Sequence, residues 1–238
     1  MGVTEQVQRE QFEKISHHYD EVHHQVLSAI YSVSRRRYYP RLAGGSVLDI
    51  GNGGQHPSKM LGQELADRVG SFVGLDNSLA MLQRPGRPFW RVQGDGCRLP
   101  IRDRAFDYVI LNGVLHHLGF TRGTDNLKRI EALLQEARRV SRREIIVYEP
   151  FLPRPLECLE RGAAFLLGHM PTFMWSEASL DRVLSRLGTA RRETVSETLS
   201  TLTHPLFRYL LVMEYPRLKL PAFLSPLHHV FFIIPSSP

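Results

Sequence analysis

Short uninterrupted apolar runs alternate along this chain with stretches whose apolar residues recur every three or four positions. The two patterns are those of buried strands and amphipathic helices. The first helical stretch carries Phe12, Ile15, Tyr19, Val22, Val26 and Ile30 on one face, and Gly44-Gly45 ends it. The run SVLDI (46–50) predicts a strand, 58–68 a helix with Pro57 in its first turn, and SFVGLD (71–76) a second strand. Ser78 is placed to cap a helical turn holding Leu79, Met81 and Leu82. Further strands are predicted at 89–92, at FDYVILN (106–112) and at EIIVYEP (144–150), with a helix over 126–139 that repeats Leu127, Ile130, Leu134 and Ala137. After Pro150 the texture changes: 151–174 is apolar and punctuated by proline, and 176–188 reads as a capped amphipathic helix. Residues 191–198 and 229–234 read as the last two strands, with an apolar insertion over 203–227 between them.

Strands that alternate with helices over about a hundred residues predict right-handed βαβ units. The expected fold is α/β: a Rossmann-like, seven-stranded, mostly parallel sheet with helices on both faces. One domain is expected over 1–238, divided into a helical lid (1–44), a core (45–150) and a cap that includes the last strands (151–238). The two insertions, after strand 5 and between strands 6 and 7, contribute Phe151, Leu152, Phe165, Phe173, Trp175, Phe207, Tyr209, Leu210 and Phe223. Such side chains over the strand ends would line a pocket for an apolar or aromatic ligand.

Composition narrows the function classes. The 238 residues are 42% hydrophobic and 23% charged, enough to enclose a core and a small-molecule pocket. No uncharged run approaches the ~18 residues a membrane span needs, and no apolar segment follows the polar N-terminus, so a cytoplasmic protein is expected. Cys97 and Cys158 are the only cysteines and form no C-x-x-C pair, which argues against a disulfide framework or a structural zinc site. His17, Asp20 and His24 share a helical face, but no further cluster completes a site, and no metal is expected. The formal charge of +6 comes almost wholly from arginines spread along the chain, densest at Arg35, Arg36 and Arg37. A solvated basic surface explains this better than a nucleic-acid interface, which stays the less favoured partner.

The chemistry-bearing residues gather at predicted strand ends, where open α/β sheets bind ligands. Asp49 closes the first strand, Gly51 and Gly53 follow it, Asp76 ends the second and Asp95 follows the third. A carboxylate at the end of the second strand is placed to accept hydrogen bonds from ribose hydroxyls. No Lys-Ser/Thr follows the glycines, which excludes a P-loop, and Gln55 stands where a dinucleotide-binding loop needs its third glycine.

The segments VLDIGNGGQ, VGLDNSLAML, GDGCRLPIRDRAFDYVILNGVLHHL and YEP, spread over 46–150, resemble the class I S-adenosylmethionine-dependent methyltransferases, in the group that includes the ubiquinone and menaquinone biosynthetic methylases. HHYDEVH resembles the Tyr-Asp helix that precedes the core in many of them. The resemblance implies S-adenosyl-L-methionine as cofactor. Asp49, Gly51, Asn52 and Gly53 would surround its methionine portion, Asp76 would hold the ribose, and Asn77 and Met81 would meet the adenine. Asp95 would take the adenine amino group, Gly96 would supply a backbone N–H, and Asn112 would meet the methionine amino group.

Methyl transfer needs donor and acceptor aligned, with a base when the acceptor must lose a proton. His116, His117 and Tyr19 are the candidates for that catalytic role, and Glu149 is a further carboxylate within reach. The expected reaction is O-, C- or N-methylation of a small, apolar or aromatic metabolite. A tRNA-modifying methyltransferase and a non-catalytic cofactor-binding subunit are the alternatives. Two departures from the family pattern stand out. Gln55-His56-Pro57 predicts a later helix start and a wider loop, and the turn before the fifth strand lacks the usual Pro-Gly-Gly.

Overall fold

The computed structural model describes residues 31–85, 87–123, 125–170, 173–187, 191–194 and 228–236, with positions 6, 10, 12, 13 and 16 ahead of them. Tyr19 and most of the leader helix, residues 195–198 and the insertion over 203–227 lie outside the described residues.

A helix over 31–37 (α1) and a 3-10 turn at Tyr39–Leu42 lead into β1 (Ser46–Ile50). Then come α2 (Pro57–Leu61), α3 (Gln63–Ala66), β2 (Ser71–Asp76), α4 (Leu79–Leu82), β3 (Trp90–Gln93) and β4 (Phe106–Asn112). A 3-10 turn at Leu115–Leu118 precedes β5 (Phe120–Thr121), α5 (Asn126–Val140) and β6 (Ser141–Phe151). The chain continues through α6 (Arg154–Leu167), β7 (His169–Met170), α7 (Glu177–Arg186), β8 (Arg191–Thr194) and β9 (His228–Pro235).

The main sheet has the order β3-β2-β1-β4-β6-β9-β8. Pairings from β3 to β6 are parallel, and β9 runs antiparallel to both its neighbours. This is a mixed sheet of the Rossmann-like kind. The order reverses between β1 and β4, and at that switch point the carboxyl ends of neighbouring strands leave a crevice. The register sets Ile50 beside both Leu75 and Leu111, and Asp76 beside Gln93, so the strand ends share one edge.

Because successive strand residues face opposite sides, β1 feeds two cores. Leu48 and Ile50 join Leu75, Val109, Leu111, Ile145 and Val147 under α5 and α7. Val47 joins Phe72, Tyr108, Ile110 and Ile146 under Tyr38, Tyr39 and Met60. Each fully buried aliphatic side chain contributes about 1.5–3 kcal/mol of transfer free energy to these layers.

Three sequence expectations change. The helix expected over 58–68 is two short helices, because Gly62 takes φ +83 and breaks the ladder between them. The strand expected at 144–150 spans Ser141–Phe151, since α5 passes directly into β6 with Ser141 already in extended conformation. The stretch 151–174 was expected as a pocket lining, yet it contains α6, and Phe151, Leu152, Phe173 and Trp175 are all buried at 3% exposure or less. Phe151, Phe173 and Trp175 pack into the first core because α6 and the 173–175 segment close over that end of the sheet, whereas Phe165 is exposed.

Candidate active site

The turn after β1 is fixed from below. The N–H groups of Gly51 and Asn52 both donate to the Leu75 carbonyl, at 2.8 and 3.0 Å, and the Gly53 N–H donates to Asp76 Oδ2 at 2.8 Å. Asn52 turns its side chain under the loop, where Nδ2 donates to Asp49 Oδ2 at 2.6 Å and to the Gln55 carbonyl at 3.1 Å. It fits there because position 74 is glycine: a Cβ on Gly74 would stand 2.6 Å from Asn52 Oδ1.

Gly54 takes φ +72, and a Cβ there would overlap the Met81 carbonyl oxygen. The close backbone approach therefore falls at 54, and Gln55 is buried beneath the loop. The helix starts at Pro57 with His56 as its cap, accepting the Ser58 N–H at 3.2 Å, which is the later start that Gln55-His56-Pro57 predicts.

A cavity of about 550 Å³ lies along the shared strand edge. Its walls bring together Gly51 and Gly53 after β1, Asp76, Asn77 and Met81 around the end of β2, Asp95 and Gly96 after β3, and Asn112 and His117 at the end of β4. Asp49 and Asn52 do not line it; they hold the loop from the opposite side of β1. His116 does not line it either, and Tyr19 is outside the described residues. Sequence reasoning missed Phe12, Gly113, Val114 and Arg129 in these walls. Val114 had no local signal: only the fold brings it to Gly51, whose added Cβ would stand 2.7 Å from Val114 Cγ2.

Asp76 uses both carboxylate oxygens on the protein, Oδ2 as above and Oδ1 accepting the Ser78 N–H at 2.9 Å. Burial still pushes its pKa up, against the pull of these amides. Asp49 is more enclosed: burial, opposed by the Asn52 hydrogen bond and reinforced by the Asp76 charge, pushes it up to about 7. Asn112 Oδ1 is buried and, among the described residues, has no hydrogen-bond partner. An orphaned acceptor at a cavity wall calls for an N–H or O–H from whatever binds there.

The turn after β4 is fixed differently. Glu149, 1% exposed, accepts the N–H groups of Leu115 at 2.9 Å and His116 at 3.1 Å, and its Oε1 also meets His116 Nδ1. The His116 ring stacks at a tilt on His117, centroids 4.0 Å apart, and His117 in turn meets Phe12 edge-on at 4.9 Å. Consecutive amides then tie this turn to α6: the Phe173 N–H donates to the His116 carbonyl at 2.8 Å, and the Met174 N–H to Glu160 Oε2 at 3.2 Å. Burial pushes Glu160 up to about 7, while His116 pulls it down. Glu160 had no signature in the sequence.

Comparison with known proteins agrees with this geometry. Residues 48–148 match the family model described as a methyltransferase domain. No curated protein sequence matches the chain. Among solved structures, a complex of DhpI with SAH aligns at TM-score 0.63 and 15% identity over 98% of each chain. The putative methyltransferase of Haloferax volcanii, solved with its Trm112 activator, aligns at TM-score 0.61 and 15% identity, covering 94% of this chain and 96% of that one. Magnesium protoporphyrin IX methyltransferase (ChlM) of Synechocystis PCC 6803 with bound SAH aligns at 0.57 and 16%, covering 97% and 99%. At these identities the likeness is one of fold.

Proposed function

We propose that this chain, a class I S-adenosylmethionine-dependent methyltransferase, methylates a small organic acceptor held where the cavity meets the turn after β4. The observation that carries the reading is the run of acceptor oxygens along one cavity: Asp95 at one end, Asp76 in the middle, and the unpartnered Asn112 Oδ1 at the other. A nucleoside with a ribose diol in its middle and an ammonium at its far end satisfies that set. When bound, S-adenosylmethionine supplies a methyl group on a positively charged sulfur that leaves as a neutral thioether.

In this reading Asp76 takes the ribose hydroxyls, Asp95 the adenine amino group with the Gly96 N–H beside it, and Asn77 and Met81 flank the ring. Gly51 and Gly53 admit the methionine portion, whose ammonium donates to Asn112. Asp49 and Asn52 act through the loop they brace. His116, His117 and Tyr19 are the residues for removing an acceptor proton. Phe12, which reaches the cavity wall, supports a leader that covers it, and 151–238 supplies the acceptor side in a seven-stranded fold. Among proteins of like fold, magnesium protoporphyrin IX methyltransferase is named for a small-molecule acceptor, and the Haloferax volcanii protein was solved with its Trm112 activator. No described helix is long and apolar enough to cross a membrane.

The test is calorimetry with two ligands. Asn112→Ala should weaken S-adenosylmethionine about tenfold, the cost of one lost charge-assisted hydrogen bond, and leave adenosine unchanged. Equal losses for both ligands would show that Asn112 does not meet the methionine end.

A further inference from the structure

α6 is amphipathic in reverse. Whereas α5 and α7 bury aliphatic side chains such as Ile130, Leu134, Leu180 and Val183, α6 turns its carboxylates inward. Glu157 accepts the Ser176 N–H at 3.0 Å and the Ser179 hydroxyl at 2.7 Å, and Glu160 accepts the Met174 N–H at 3.2 Å. The outward face is apolar: Pro155, Leu159, Ala163 and Leu166 follow one another at steps of three and four, flanked by Phe165 and Leu167. The leucines at 159, 166 and 167 and Phe165 are between 55% and 82% exposed, and no charged residue of α6 stands among them. A contiguous apolar face open to water marks an interaction surface.

Charge decides what covers it. Arg154 is exposed at the start of the stripe, and Arg122 covers its end, with its guanidinium 5.4 Å over the Phe165 ring. Because both ends are basic, a second copy packed along the stripe, parallel or antiparallel, would set arginine against arginine. The apolar insertion over 203–227 complements the stripe no better, since Arg208, Arg217 and Lys219 outnumber its one acid, Glu214. An anionic bilayer matches both features at once: leucine and phenylalanine side chains enter the acyl boundary, and arginines reach out to the headgroup phosphates.

We propose that α6 is a membrane-surface anchor, its Leu159 and Leu166 face lying in the interface of an anionic lipid bilayer with Arg122 and Arg154 on the phosphates. The inference goes beyond the reaction proposed above and does not depend on it. A helix of 14 residues is about 21 Å long, enough to lie along the interface and too short to cross it. Both its ends are pinned at the carboxyl edge of the sheets: it follows Phe151 of β6 and runs into β7, which pairs with β5 just past the turn after β4. The anchor therefore holds the cavity's end of the molecule near the lipid.

The experiment is cosedimentation of the full chain with vesicles of phosphatidylglycerol or of phosphatidylcholine. The wild type should bind phosphatidylglycerol vesicles at least about tenfold more tightly, and added salt should weaken that binding. The double variant Leu159→Ser/Leu166→Ser should weaken it at least about tenfold, as withdrawal of two leucines from the interface implies. Arg122→Gln/Arg154→Gln should remove the preference between the two lipids. Tm should stay at the wild-type value in both variants, because these side chains face water in the unbound chain. Absence of binding to phosphatidylglycerol, equal binding to the two lipids, or unchanged binding in the leucine variant would overturn the proposal. So would a wild-type dimer that the leucine variant dissociates in sedimentation velocity, which would assign the face to a second copy. A fall in Tm confined to the leucine variant would assign it to a contact within the chain, and would overturn the proposal as well.

Discussion

Two turns sit on the same edge of the sheet, one after β1 and one after β4, and they are built on opposite plans. The turn at 51–55 is held by its own neighbourhood. Its amides go to Leu75 and Asp76 on the adjacent strand, and Asn52 fills the space that Gly74 leaves. The turn at 113–118 is held from a distance, by Glu149 on β6 and by the 173–174 segment beyond α6. The first arrangement yields a rigid bed for a ligand of fixed shape. The second ties the turn that carries His116 and His117 to residues far along the chain, on β6 and beyond α6.

The largest break in this comparison should come from the first turn. Gly54→Ala forces a Cβ into the Met81 carbonyl at φ +72, and stability should fall by about 4 kcal/mol, the upper range for combined backbone strain and overpacking. Thermal unfolding checks it. If Gly54→Ala unfolds like the wild type, the loop is looser than its contacts imply. Glu149→Ala attacks the second turn and leaves two amides without an acceptor, at roughly 1–3 kcal/mol each, for a loss near 3 kcal/mol by denaturant titration. Cofactor affinity should change little, which separates the two turns in function as well as in structure.

The contrast in legibility has the same physical origin. Glycines, a strand-end acid and a cap are local signals, so SVLDIGNGGQH and SFVGLD disclose where the first turn lies between β1 and β2. Gln55 was the visible anomaly. Its side chain is buried under a loop whose tight approach falls one residue earlier, at Gly54. Glu160 was invisible because only the crossing of α6 brings its carboxylate to the Met174 amide. That helix was hidden too: it begins among prolines, and Leu159, Leu166 and Leu167 on its exposed side, 71%, 82% and 69% exposed, blur the helical period. The aromatic residues of 151–174 misled for a related reason. Composition can say that Phe173 and Trp175 are apolar, but only packing decides that they fill a core instead of lining a pocket.

A smaller effect sharpens the electrostatics beneath the first turn. Folded Asp49 keeps its proton up to about 7, against an ordinary value of 3.8. Between those values the native state binds the extra proton, so this contribution to stability is fully present at the acid end and is lost as pH rises through about 7. Asp49→Asn should remove that slope, narrowing the difference in Tm between about pH 5 and about pH 8 by roughly 5 °C. An unchanged slope would mean that Asp49 is ionised across the range. The smallest effect should be Gly168→Ala at the end of α6, where φ is +84 but nothing lies within 4 Å of the new Cβ. Backbone strain alone costs about 1 kcal/mol there, which sets the scale against which the Gly54 overlap is judged.

The central claim is that the strand-edge cavity binds a sulfonium nucleoside through Asp76. Calorimetry with S-adenosylmethionine and NAD in parallel, on the wild type and on Asp76→Ala, tests it directly. S-adenosylmethionine should bind the wild type at one site per chain and weaken about a hundredfold in Asp76→Ala, as loss of a carboxylate with two ribose contacts implies. NAD should not bind either protein. Binding of NAD without binding of S-adenosylmethionine would contradict the account.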